Sequence, residues 1–186
     1  MDMKNSYWRF AAMIATAMVV MFGLMYLNTY TWEHVFWSET RFYMTFIMGA
    51  AMAIVMLAFM LSMYKGRRIN LGIVAGAAIV FILALWLMRS QSTVEDRSYM
   101  KAMIPHHSIA IMTSERAGIE DVRIRELANE IIKAQRREIK EMEWLITDIA
   151  QNGLVTTESD ANARPIPSFE GELDAEEPAG ASVSEQ

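Results

Sequence analysis

A chain of 186 residues, 53% of them hydrophobic and with a formal net charge of −5, is long enough for one or two domains. It has no cysteine, which excludes disulfides, thiolate metal sites and thiol nucleophiles and leaves the thioethers of 17 methionines as its soft sulfur ligands. No basic stripe interleaved with aromatics lies outside the apolar half, so a nucleic-acid surface is excluded.

Three apolar runs free of internal charge occupy residues 1–90: Phe10–Tyr30, Phe42–Tyr64 and Leu71–Met88. Each has the ~17–25 residues that cross a bilayer core, and hydrocarbon requires such segments to be helical. Aromatics mark the expected interfaces at Tyr7, Trp8, Tyr30, Trp32, Phe36, Trp37, Tyr64 and Trp86. No small-residue cleavage site follows the first run, so it is predicted to be a retained anchor in contact with lipid. Lys4 and Arg9 precede the first run and Lys65, Arg67 and Arg68 join the second to the third, whereas the first connection carries Glu33, Glu39 and Arg41. The positive-inside rule then places the N-terminus and the Lys65–Arg68 loop in the cytoplasm, and everything beyond Met88 on the outer side of the membrane.

Two patterns lie within the spans. Gly72, Gly76 and Ala84 form a small-residue row that permits close helix packing, within one protomer or between two. Met44, Met48, Met52, Met56 and Met60 recur every four residues, but such a row drifts by about 40° per step on a 3.6-residue helix and leaves any one face. Gap-filling between helices explains it better than a metal conduit.

Residues 91–150 change character. An amphipathic helix is expected from about Val94, capped by Ser92 or Thr93, with Glu95 and Asp96 in its first turn and its end near Gly118. A second is expected from Glu120–Asp121 to about Ile149, with an apolar row of Leu127, Ile131, Ala134, Glu138, Met142, Leu145 and Ile149. The short Ala117–Asp121 connection makes the pair an antiparallel hairpin. Two helices cannot cover both of their apolar faces, which implies a four-helix bundle completed by a second copy of the chain, or another partner.

The chemistry-bearing residues share the hairpin's inner face. Met100, Met103 and His107 fall at i, i+3 and i+7, His106 flanks them, and Pro105 is expected to bend the helix. Counting back from the turn sets Met100 and Met103 level with Ala134–Glu138, with Met142 one turn further on. Glu138 is the lone carboxylate of the apolar row, and burial there calls for a base or a metal. Methionines and a histidine at helical spacing also suit an ordinary core, so spacing alone leaves both readings open.

The run Asp96-x-x-Tyr99-x-x-x-Met103-Ile104-Pro105-His106-His107-x-x-Ala110-Ile111-Met112 closely resembles the opening motif of the bacterial family known as domain of unknown function 305. Leu127-Ala128-x-x-Ile131-Ile132-x-x-Gln135-x-x-Glu138-Ile139-x-x-Met142-x-Trp144-Leu145 resembles that family's second signature, so the likeness covers roughly residues 94–150. It implies a ferritin-like, all-α hairpin and, through secreted or periplasmic members that bind copper, a role in copper tolerance. It also implies His106, His107, Met103, Met112, Glu138 and Met142 as metal ligands, with Asp96 as a further ligand or a neighbour to one. Tyr99 stands where the family commonly has phenylalanine, longer members carry additional helices, and the motif does not imply the three-span anchor.

The outer segment has no Glu-x-x-His pair for a di-iron site and no His-Glu-x-x-His for a hydrolytic zinc. Imidazole with thioether suits copper, Cu(I) first, while Glu138 admits Cu(II). No nucleophile–base pair or cofactor fingerprint is present, so binding rather than catalysis is expected; the competing expectation is a tethered interaction module whose Met and His residues merely pack. His34, set among tryptophans, is read as interfacial. Residues 151–186, with eight carboxylates against Arg164, are expected to be disordered from Thr156.

Overall fold

The computed structural model describes residues 3–173, and every regular element among them is helical. These elements are α1 (Met3–Leu24), a 3-10 turn (Trp32–His34), α2 (Glu39–Phe59), α3 (Arg67–Ser90), α4 (Asp96–Arg116), α5 (Val122–Asn152) and a short α6 (Glu158–Ala163). The chain divides into two compact units. One joins the chain up to Asn28 with Trp37–Ser98; the other joins Thr29–Phe36 with the chain from Tyr99 onward. This division differs from a split at residue 90, because eight residues of the first connection belong with the hairpin.

In the first unit, Asn5–Leu24, Glu39–Phe59 and Arg67–Ser90 are long and apolar enough to cross a membrane. Their limits correct the expected ones. α1 stops at Leu24 rather than Tyr30, in i→i+3 turns from Tyr26 N–H to Gly23 C=O and from Leu27 N–H to Leu24 C=O. Ser38 opens α2 by accepting from the Arg41 N–H at 3.3 Å, and α3 closes where Gln91 turns left-handed at φ 52°. The buried face of α2 is Thr45, Gly49, Ala50, Ala53 and Leu57, small enough for α1 and α3 to approach it. The methionine row is not that face: Met44 is exposed, whereas Met56 and Met60 pack against Phe10, Ala53, Leu57 and Tyr64. At the far end Tyr7 ties α1 to the α2–α3 loop. Its hydroxyl donates to Asn70 Oδ1 at 2.7 Å and accepts from Gly66 N–H at 3.0 Å.

The second unit is built on the α4–α5 hairpin. α5 matches its expected limits closely, and Asp121 caps it by accepting from Arg123 N–H at 2.9 Å. Ile104, Ile111, Ile132 and Ile139 form the core between the helices. Arg125 ties the turn, donating to the Ser114 and Ala117 carbonyls at 2.8 and 3.0 Å, where the end of α4 leaves acceptors without helical partners. Arg136 pairs with Glu115 across the helices.

Two other segments complete this unit. Tyr30 and Phe36 of the first connection pack on the isoleucine core. The start of the tail is ordered, contrary to expectation: Arg164 pairs with the buried Asp148 at 3.0 Å and donates to Gly153 C=O at 2.7 Å, closing α5. Further on, the Glu172 carbonyl accepts from Arg136 at 2.9 Å, and a Cβ on Gly171 would overlap the Lys133 carbonyl. The physical reason is that α5 presents the buried Asp148, the Gly153 carbonyl and the Arg136 guanidinium, and the tail supplies a partner to each. The rest of the tail, 174–186, lies outside the described residues.

Candidate metal centre

His107 is buried, and both of its ring nitrogens are engaged. Nδ1 lies 2.9 Å from the Met103 carbonyl one turn earlier, and Nε2 lies 2.7 Å from Glu138 Oε2 on α5. A carbonyl only accepts, so Nδ1 carries a proton and donates it. Nε2 therefore presents either a second proton or a lone pair to the carboxylate. At 2.7 Å two lone pairs do not face each other bare, so the contact is a hydrogen bond with a proton between the two atoms. A backbone carbonyl holding one nitrogen so that the other points at a cation is the usual way a protein orients a histidine ligand.

The pairing sets the hairpin's register. His107 faces Glu138, so one further turn along each helix in opposite senses brings Met103 and Met142 to one level. The expected register, with Met100 and Met103 beside Ala134–Glu138, is about two turns out, because the two helices do not rise in step from the connection. Met142 packs against the isoleucine core and Met100 is buried a turn beyond Met103. Glu138, expected to be buried, leaves 38% of its side chain exposed, and Arg137 reaches its other oxygen at 4.0 Å.

The remaining candidates lie apart. His106 is exposed, its ring centroid 6.0 Å from that of His107 and inclined by 68°. Met112 is partly buried five residues beyond His107, about 140° around the helix. Asp96 is exposed in the first turn of α4, where a negative charge complements the helix dipole. Among the described residues no three His, Asp or Glu side chains gather into a metal-holding group. What the hairpin brings together here is one imidazole and one carboxylate, with Met103 and Met142 one turn further along their helices.

Sequence reasoning missed the residues beside this centre. Ser108, fully buried next to His107, accepts from Tyr30 N–H at 2.7 Å, and its hydroxyl meets His34 Nδ1 at 2.9 Å. His34 thus packs in the hairpin unit instead of standing at an interface, and burial pushes its pKa down against the opposing pull of Glu33. Glu143 on α5 is pushed up, first by burial and then by the Glu33 carboxylate. Tyr30, His34, Glu33, Ile111, Arg136 and Glu143 line a cleft of about 260 Å³. No local pattern signals these contacts, since Ser108 and His34 are 74 residues apart in sequence.

The fold and centre together define an all-helical protein with three helices suited to a membrane and a hairpin that carries a His–Glu pair flanked by thioethers. The model of the domain of unknown function DUF305 matches residues 86–168. An uncharacterised protein of Acanthamoeba polyphaga mimivirus is 33% identical over 104 residues, 52% of this chain and 68% of that protein. The chain belongs to the DUF305 family. No solved structure matches it.

Proposed function

We propose that this chain is a membrane-anchored copper-binding protein that captures, buffers or delivers copper on the outer face of a bacterial inner membrane. The supporting observation is His107, whose Nδ1–H is held by a carbonyl so that Nε2 points at Glu138 with two thioethers one turn away. His107 Nε2, Glu138, Met103 and Met142 would hold the ion, with Met100 next in the stripe; His106, Met112 and Asp96 fit less well. Thioethers select Cu(I), and the carboxylate keeps Cu(II) accessible. Two chains pairing into a four-helix bundle would cover Val122, Ile124 and Leu127, which stand 78, 53 and 61% exposed on α5.

One observation favours the alternative of an interaction module: both nitrogens of His107 already have protein partners, which suffices for a structural histidine. Competition for Cu(I) between the full chain in detergent and a chromogenic chelator separates the two. The copper reading expects His107→Ala to weaken binding at least tenfold, Met103→Leu with Met142→Leu to weaken it similarly, and His106→Ala to change it least. Unchanged affinity in a folded His107→Ala chain would leave the module.

A further inference from the structure

The apolar helices enclose a groove of about 590 Å³ whose floor is Gly49, Ala50 and Ala53 of α2. Its walls run from Tyr7 to Met18 on α1 and from Ile69 to Val80 on α3. Eleven residues of helix rise about 16 Å, half of the ~30 Å hydrocarbon thickness. The groove therefore spans one leaflet and ends near the middle, where Met18, Phe46 and Val80 lie. Gly72 and Gly76 line it, and a Cβ on either would meet nothing within 4 Å, so these two glycines are not consumed by packing inside this chain, unlike the buried Ala84 of the same row.

Beyond the Tyr7 end of the groove the face of α3 continues to a cation. Arg68 is exposed and stands one turn before Gly72 in the row Gly72, Gly76, Val80, whereas Lys65 and Arg67 line a separate pocket between α2 and α3. No side chain caps the N-terminus of α3, and the Gly66 N–H goes to Tyr7. A helix N-terminus with an arginine on the groove side favours a phosphate.

We infer that this groove is a binding site for one anionic phospholipid of the leaflet on the Lys65–Arg68 side. An acyl chain lies over Gly49, Ala50 and Ala53, and the phosphate sits at the start of α3 against Arg68. A single acyl chain confined to one leaflet matches a groove that stops halfway, and a second helix crossing at the glycines is the occupant that an interchain disulfide would separate from it. The inference rests on the three helices crossing a membrane, and is independent of copper.

Native mass spectrometry of the full chain in mild detergent, mixed with phosphatidylglycerol or phosphatidylethanolamine, tests it. One phosphatidylglycerol per chain is expected to be retained in preference. Arg68→Gln should weaken retention about fivefold, the factor given by ~1 kcal/mol per surface cation. Gly76→Leu should abolish it, while Gly23→Leu, at an equally open glycine outside the groove, should not. Equal retention of both lipids that Arg68→Gln leaves unchanged would overturn the site. So would an interchain disulfide forming readily in Gly76→Cys, which would assign the groove to a second copy. Alkaline extraction separates the two failures: a chain released from membranes defeats the membrane reading, whereas an inserted chain without retained lipid defeats only this site.

Discussion

At the scale of single residues, His107 and Gly171 are the positions where the geometry leaves least freedom. His107 bridges α4 and α5 through Glu138, so His107→Ala leaves a partly exposed carboxylate without its partner and should lower the melting temperature as well as copper affinity. Gly171 lies against the α5 backbone at Lys133. Gly171→Ala should therefore detach the strap around it, seen as faster proteolysis between Gly153 and Leu173 with helix content unchanged. His34 adds a pH dependence. Its pKa is lowered in the folded chain from 6.5, so the folded state prefers the neutral ring. Its contribution is complete above about pH 6.5 and is lost as pH falls from there through the depressed value. Glu143 acts in the opposite sense, because its raised pKa means that protonation at lower pH relieves its repulsion with Glu33. Hydrogen exchange at the Tyr30 amide, corrected for intrinsic rate, should accelerate between pH 7 and 5.5 in the native chain and much less in His34→Gln.

At the scale of elements, the loop between α1 and α2 is as much a part of the hairpin unit as the helices are. Tyr30 N–H and His34 both end on Ser108, and Tyr30 and Phe36 cover isoleucines that two helices alone would leave bare. Ser108→Ala should cost about 1–3 kcal/mol by stranding the Tyr30 donor, and Ile111→Ala about 2–5 kcal/mol by opening the core, both measurable by chemical denaturation. The extent of α5 was legible in the sequence, because Asp121 supplies a cap, but its inward face was not. Ala128, Ile132, Ile139 and Asp148 are buried, about one residue round from the expected row, and Leu127 of that row is 61% exposed. The His107–Glu138 pairing was half legible: both residues lie on inward stripes, but counting from the turn assumed helices that rise in step. The end of α1 was illegible, since the apolar run continues to Tyr30 and only a partner 78 residues away draws that residue off. The folded start of the tail was likewise hidden by an acidic, proline-containing composition, which does not reveal that Arg164 has Asp148 to meet.

At the scale of the whole molecule, the absence of cysteine makes topology directly measurable, because any introduced thiol is the only one present. Lys65→Cys should react with a membrane-impermeant maleimide only after the cells are opened, and Thr156→Cys should react from outside; the reverse pattern would invert the orientation. The central claim is that an imidazole and thioethers of the hairpin hold copper together. X-ray absorption at the copper edge, on the full chain loaded with one equivalent of Cu(I), tests this most directly. The account predicts mixed nitrogen and sulfur scattering, with the nitrogen shell lost in His107→Ala and the sulfur shell reduced in Met103→Leu with Met142→Leu. A spectrum that none of these substitutions alters would contradict it.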